Sequence, residues 1–379
     1  MQLNPRTTSK LLDVPNEVLS YAFKYLSFLN VDVELRTSKD GNLKLVNRRI
    51  YSIVCRMLFV TKQKFTITYN HLNDPDKIMR FCNAYKITEL DFALDIFCDF
   101  QKSIDLLKLM IQSLDSERIH RIERMAFRNL SREQSAELFI LLMEFRGIEC
   151  LSFDSSKYLL DLDVSQFLED DKLKALSLDK CKMITDDMLS AVTPNTTLTK
   201  LKLASCNVTE RTGHQVARCF PNLSNLTLAW SPVQVGAHIN LGFLITKEMP
   251  ITHLKLSNNK FLNNDDLFYV ARILTLQSLV LEMLPAVKEL SSLMHMVALT
   301  SLSLISLKLS NSDIGSVIIT LPKLTSLVIK QCFVDNDIID YIRQCTSLKR
   351  LECAGKGLTS NSQLRALLPD LVLTINGKK

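Results

Sequence analysis

The sequence predicts an α/β fold: a solenoid of stacked strand-plus-helix units, preceded by a small helical segment. Three observations predict it. Leu173-Lys-Ala-Leu176-Ser-Leu178, Leu198-Thr-Lys-Leu201-Lys-Leu203 and Leu223-Ser-Asn-Leu226-Thr-Leu228 repeat one apolar pattern, at positions 1, 4 and 6, with starts 25 residues apart. A recurrence of that period marks supersecondary units that stack on one another. The chain has 379 residues, more than one growing core accommodates at roughly 250–300. The length therefore predicts several domains or an elongated array, and Gly (9) and Pro (10) are scarce, so long flexible linkers are not expected.

At the N-terminus, residues 11–26 predict a first helix. Pro15 suits its first turn, where a missing N–H has no partner to lose, and Leu19, Phe23 and Leu26 follow as one apolar stripe. A second helix is predicted from about Leu43 to Leu58, with Val46, Ile50, Ile53 and Met57 as its stripe. Asp40-Gly41-Asn42 reads as the turn and cap before it. The mixed stretch from Phe28 to Lys39 has room for a short helix around Val33.

From Phe65 onward the repeat takes over. Position 1 falls at Ile87, Ile122, Ile148, Leu173, Leu198, Leu223, Ile251, Leu276, Leu299, Leu324 and Leu348, and a shortened unit begins at Leu368. Phe65 and Ile67 fit the same register before Ile87, which predicts a first edge strand there. The long interval after Ile87 holds an extra helical segment, Ile104 to Ser113, and the one after Leu223 holds a loop excursion, Pro232 to Gly242. Within a unit the strand alternates faces, so positions 4 and 6 point inward and 3, 5 and 7 outward. A short helix, as over Asp186–Val192 or Arg211–Cys219, returns the chain. Position 9 is Cys181, Cys206 and Cys332 in three units and Asn259 in another. At one per layer these cysteines stack along the core and do not converge on a metal.

Composition limits the function classes. Net charge is +6, of which residues 1–60 carry +4, so no strongly basic surface is concentrated for nucleic acid. The N-terminus has no apolar signal-peptide region, and no apolar run approaches the roughly 18 residues that span a bilayer. Ten cysteines without a C-x-x-C pair predict free thiols in a reducing compartment, cytoplasmic or nuclear. The six histidines show no metal-ligand spacing. Gly355-Lys356-Gly357-Leu358-Thr359 lacks the phosphate-loop pattern, and no nucleophile elbow occurs. The reading is therefore not an enzyme, with no cofactor, no metal, no nucleic acid and no membrane partner.

The concave sheet surface remains as the place for binding. Its central outward residues include Lys200, Lys202, Asn225, His253 and Lys255, with Trp230, the only tryptophan, one place beyond its strand's outward set. Small residues among them leave room for a bulky segment, and the lysines favour an acidic or phosphorylated one. Solvated lysines with no specific partner are the competing reading. Trp230 reads either as an interface anchor or as a ring over the strand–loop corner.

Two stretches resemble known families. Val14-Pro15-Asn16-Glu17-Val18-Leu19, followed by Phe23 and Leu26, and then Leu45-Val46-Asn47-Arg48-Arg49-Ile50-Tyr51, resemble an F-box. The spacing from Pro15 to Val46 is longer than usual by several residues, and Ile50 stands where tryptophan is frequent. The repeats, with cysteine at position 9, resemble the cysteine-containing subclass of leucine-rich repeats, which is typical of F-box proteins. This implies a small N-terminal all-α F-box-like domain (1–60) and a right-handed leucine-rich-repeat solenoid, or horseshoe, of about 12 units (61–379). It further implies a non-catalytic substrate-recognition subunit of an SCF-type (Skp1–cullin–F-box) E3 ubiquitin ligase. Pro15, Leu19, Phe23, Leu26, Val46 and Tyr51 would contact a Skp1-like adaptor, and through it a cullin, while the repeats hold an unknown target protein. The alternative is a leucine-rich-repeat scaffold or inhibitor whose N-terminal helices only cap the array and bind no Skp1.

Overall fold

The computed structural model describes residues 35–37, 43–45, 63–67, 75–84, 87–92, 100–129, 135–169, 171–230, 241–246, 249–354 and 372–375. They fall into two compact units: Met1–Met125 with Leu141–Gly147, and Ala126–Ile140 with Ile148–Lys379.

In the first unit, β1 (Leu35–Thr37) and β2 (Leu43–Leu45) pair antiparallel, Leu35 opposite Leu45 and Thr37 opposite Leu43. This corrects the helix predicted to begin at Leu43 and the all-α reading of this stretch. Arg36 and Lys44 alternate with less polar neighbours at the period of a strand, and Asp40-Gly41-Asn42, predicted as the turn and cap, lies outside the described residues. The first predicted helix, the rest of the second, Val33 and the 60/61 boundary lie outside the described residues. β3 (Gln63–Ile67) and β4 (Ile87–Phe92) pair in parallel, so the register carried back to Phe65 and Ile67 holds. Helices Pro75–Ala84, Phe100–Ser113 and Ser116–His120 complete the described elements wholly inside this unit. The second contains the extra segment predicted at Ile104–Ser113 and buries Ile104, Leu107 and Met110, one face at helical spacing. Asp115 caps the third, its Oδ1 accepting from the Arg118 N–H at 2.8 Å.

β5 (Arg124–Arg128) enters the second unit at Ala126. There Phe127 stacks on Phe153 with centroids 5.7 Å apart, and Phe139, from the helix Ser135–Glu144, lies 5.9 Å from Phe153 and 4.8 Å from Phe167. The strands that follow are β6 (Cys150–Asp154), β7 (Ala175–Asp179), β8 (Lys200–Ala204), β9 (Asn225–Ala229), β10 (His253–Ser257), β11 (Ser278–Glu282), β12 (Ser301–Ile305), β13 (Ser326–Lys330), β14 (Arg350–Ala354) and β15 (Val372–Ile375). They lie side by side in chain order, all parallel. From β6 to β14 each strand occupies positions 3 to 7 of its predicted unit.

The register does not slip. Leu176, Leu201, Leu226, Leu254, Leu279, Leu302, Leu327 and Leu351 form one continuous row across the sheet. Leu178, Leu203, Leu228, Leu256, Leu281, Leu304, Ile329 and Cys353 form the next buried row. A one-residue slip would put both rows on the open face, which is why the pattern specifies the pairing. Each such leucine contributes about 1.5–3 kcal/mol when fully buried. Leu348 at position 1 of the β14 unit is only half-buried, while its counterparts from Leu198 to Leu324 are fully enclosed.

Helices Asp161–Leu168, Glu210–Cys219, Phe243–Thr246, Asn264–Ala271, Asn311–Ile318 and Ile338–Ile342 return the chain. In the β7 unit the predicted helix over Asp186–Val192 is instead a 3₁₀ turn, Asp186–Leu189. Pro194 disfavours helical backbone at Thr193, and the turn tightens before it. The loop predicted at Pro232–Gly242 and the turn at Gly355–Thr359 lie, apart from Leu241 and Gly242, outside the described residues.

Candidate functional site

Strand alternation leaves positions 3 and 5 on the sheet face opposite the leucine rows. In register, Lys200, Asn225 and His253 form one line across β8, β9 and β10, and Lys202, Thr227 and Lys255 form the next. Lys200 and His253 are exposed; Lys202, Asn225 and Lys255 are half-buried. Five of the six predicted target-binding residues therefore share one three-strand block.

The sixth does not. Trp230 is 4% exposed, and its indole Nε1 is buried without a hydrogen-bond partner among the described residues. As an exposed interface anchor it is corrected. It occupies position 8, where the chain leaves the strand and turns toward the core. Position 7 departs from expectation in the same place: Ala204 and Ser257 are buried at 4% and 2%, so this row is closed over on β8 and β10. Small side chains there leave a shallow surface that neighbouring groups can cover.

The lysines are not equivalent. Lys202 Nζ lies 2.7 Å from Asp179 Oδ2 on β7, and Lys255 Nζ lies 2.6 Å from Glu282 Oε2 on β11. Lys330 pairs likewise with Glu352 at 2.7 Å. Each is a partly exposed pair contributing about 0.2–1 kcal/mol. The sequence signal for the first two pairs is a lysine at position 5 and an acid at position 7 of an adjacent repeat, and Lys330 with Glu352 reverses it; both patterns are legible only once the repeats are aligned. The outward positions of β8, β9 and β10 themselves carry no acid.

Beneath this face the position-9 side chains tie the repeats together, as expected for core residues. Cys181 Sγ donates to the carbonyls of Asp179 (3.5 Å) and Phe153 (3.7 Å), Cys206 to Ala204 (3.5 Å) and Leu178 (3.8 Å), and Cys332 to Lys330 (3.5 Å) and Leu304 (3.6 Å). Burial pushes the Cys181 and Cys206 thiols up to about 12, which keeps them protonated and poorly nucleophilic near neutral pH. Asn259 differs: it braces the turn of its own repeat, accepting from Phe261 N (2.8 Å) and Leu262 N (3.0 Å) through Oδ1. Among the described residues no group of three or more His, Cys, Asp or Glu is placed to hold a metal ion. No described helix is long and apolar enough to cross a membrane. Pro15, Leu19, Phe23, Leu26, Val46 and Tyr51, the adaptor-contact set, lie outside the described residues.

No family model matches the chain, and no curated protein matches it. Among solved structures it is similar to yeast Rad7 in its complex with Elc1, at 13% identity and a TM-score of 0.51, over 97% of this chain and 82% of that one. It also matches two internalins of Listeria monocytogenes. Internalin C2 does so at 18% identity and TM-score 0.41, over 57% of this chain and 83% of that one. The internalin inlF does so at 14% and 0.42, over 72% and 94%. With the in-register ladder, the likeness to Rad7 establishes the fold as that of a leucine-rich-repeat protein.

Proposed function

We propose that this chain is a non-catalytic protein-recognition subunit. The observation that carries it is the uninterrupted parallel ladder from β6 to β15, which presents one continuous open face whose central strands carry Lys200, Lys202, Asn225, His253 and Lys255. A face assembled from many short strands offers area and register, and it suits a partner that lies across several repeats. The finer proposal is a substrate receptor of an SCF-type ubiquitin ligase, with a Skp1-like adaptor held by the N-terminal segment. Two things support it: the F-box-like residues from Val14 to Leu26 and Leu45 to Tyr51, and the fold likeness to Rad7, a protein solved in complex with Elc1. In this role the chain contributes proximity, raising the effective concentration of target beside the ubiquitin carrier.

The test is co-purification. Wild-type protein should retrieve Skp1, and Pro15→Ala with Leu19→Ala should not. Failure of the wild type to retrieve Skp1, or equal retrieval by the variant, removes the ligase role.

The second reading, a leucine-rich-repeat scaffold whose N-terminal segment only caps the array, is favoured by the β1–β2 hairpin at Leu35–Leu45, a departure from an all-α F-box. A thermal melt of residues 61–379 against the full chain separates the two. A cap removed from the array lowers the melting temperature sharply, whereas removal of an independent adaptor-binding domain leaves it in place.

A further inference from the structure

Resting on the reading of the open face as the binding surface, we infer that β8–β10 form a docking site for an acidic peptide segment of the partner, running across the strands along the Lys200–Asn225–His253 row. The argument is charge complementarity resolved residue by residue. The outward positions of these three strands hold three lysines and one histidine and no carboxylate. Lys202 and Lys255, on the neighbouring row, are each drawn toward an acid on the strand outside the block, Asp179 and Glu282. They therefore flank Thr227 with much of their charge already satisfied.

The row at position 3 differs. Among the described residues Lys200 has no carboxylate partner. The His253 ring meets Thr252 Oγ1 through Nδ1 at 2.9 Å, which leaves Nε2 open to a ligand. Asn225 stands between them in register, half-buried. With strands about 4.8 Å apart, the two outer residues of the row are separated by about 10 Å at the backbone. Successive same-side residues of an extended segment are about 7 Å apart, and the length of the glutamate and lysine side chains spans the difference of about 3 Å. Asp179 and Glu282, on the strands flanking the block and in register with position 7, restrain Lys202 and Lys255, so the positive charge free for an acidic segment is confined to the position-3 row. Specificity then comes from where positive charge stops as much as from where it lies.

The experiment is fluorescence anisotropy on the full-length chain at low salt. The probe is a labelled eight-residue peptide of alternating Glu and Ser, set against its Lys/Ser counterpart and a phosphoserine/Ala peptide. The Glu/Ser peptide should bind and weaken with salt, and the Lys/Ser peptide should not bind. Lys200→Ala with His253→Ala should weaken binding by roughly tenfold, since both free donors are lost. Asp179→Ala, which frees Lys202, should tighten it about two- to fivefold, the scale of one exposed pair. Asp265→Ala, the same charge change at an exposed helical position, should leave it unchanged.

The inference is overturned if the Glu/Ser peptide does not bind, or if the double variant binds it equally well. It is also overturned if Asp265→Ala tightens binding as much as Asp179→Ala, or if only the phosphoserine peptide binds. Thr227→Trp, which fills the middle of the block, separates this failure from failure of the face reading. Partner capture lost on Thr227→Trp but indifferent to the charge variants keeps the face and rejects the acidic segment. Capture indifferent to all of them rejects the face itself. Each variant's thermal melt must match wild type.

Discussion

Asp186 shows how single side chains bind one repeat to the next. Its Oδ1 accepts from the Thr209 N–H at 2.8 Å and its Oδ2 from the Thr209 hydroxyl at 2.6 Å, with a further bond from Thr212 Oγ1. Asp161 holds Thr185 in the same way one repeat earlier, and Asn264 accepts from the backbone of Lys288 and Glu289. Partial burial alone would raise the Asp186 carboxyl, but the bonds from Thr209 and Thr212 outweigh it and hold the group below its ordinary 3.8. A depressed carboxylate stabilises the fold above its unfolded value and ceases to do so as pH falls through the folded one. Asp186→Ala is therefore expected to cost about 1–3 kcal/mol at pH 7, with the gap to wild type shrinking below pH 3.8 in urea melts taken across that range. Trp230 makes the opposite case. Its indole N–H is buried with nothing to bond among the described residues, so Trp230→Phe should be neutral or stabilising, while Trp230→Ala should lose about 3–5 kcal/mol through the cavity. A Phe variant markedly less stable than wild type would mean that the indole nitrogen has a partner in solution.

At the scale of elements, the strand exits repeat as regularly as the strands. Asn129, Ser155, Lys180, Ser205, Asn258, Met283, Ser306 and Gln331 all have φ between 51° and 60°, and none is glycine. Each donates its N–H to the last strand residue of the next repeat, as Lys180 does to Ala204 O at 2.7 Å and Met283 to Ile305 O at 2.9 Å. The ladder thereby continues one residue past the strand, at a cost of about 1–2 kcal/mol per left-handed residue. Trp230 stands at the same position and makes the same bond, to Ser257 O at 3.0 Å, without the left-handed backbone, which suits so bulky a side chain poorly. The helices are spaced by glycines where rings approach. A Cβ on Gly315 would collide with the Tyr341 ring of the following repeat, and one on Gly213 with Phe243. Gly315→Ala should thus destabilise by roughly 1–3 kcal/mol despite its better helix propensity. Adding Tyr341→Ala should make the glycine replacement close to neutral in a double-mutant cycle; additive losses would show that the ring is not the obstacle.

For the whole second unit, stability is the sum of like interfaces between neighbours, so damage should stay local. Leu279→Ala, in the middle of the leucine row, should cost about 2–5 kcal/mol. Hydrogen exchange should then show lost protection centred on β10–β12 before β6 or β14; uniform loss would instead mark one all-or-none unit. The sequence by itself determined the repeat, its phase and the burial of its leucines and position-9 cysteines, because side-chain alternation and a 25-residue period leave one way to pair the strands. It also placed Lys200, Lys202, Asn225, His253 and Lys255 on one face. Only the tertiary structure decided that Lys202 and Lys255 are spoken for by Asp179 and Glu282, that Trp230, Ala204 and Ser257 are covered, and that Leu43–Leu45 is a strand. Those outcomes depend on contacts between residues some 23 or more positions apart, or on a pairing partner across a turn, and no local pattern encodes which neighbour a long side chain will meet.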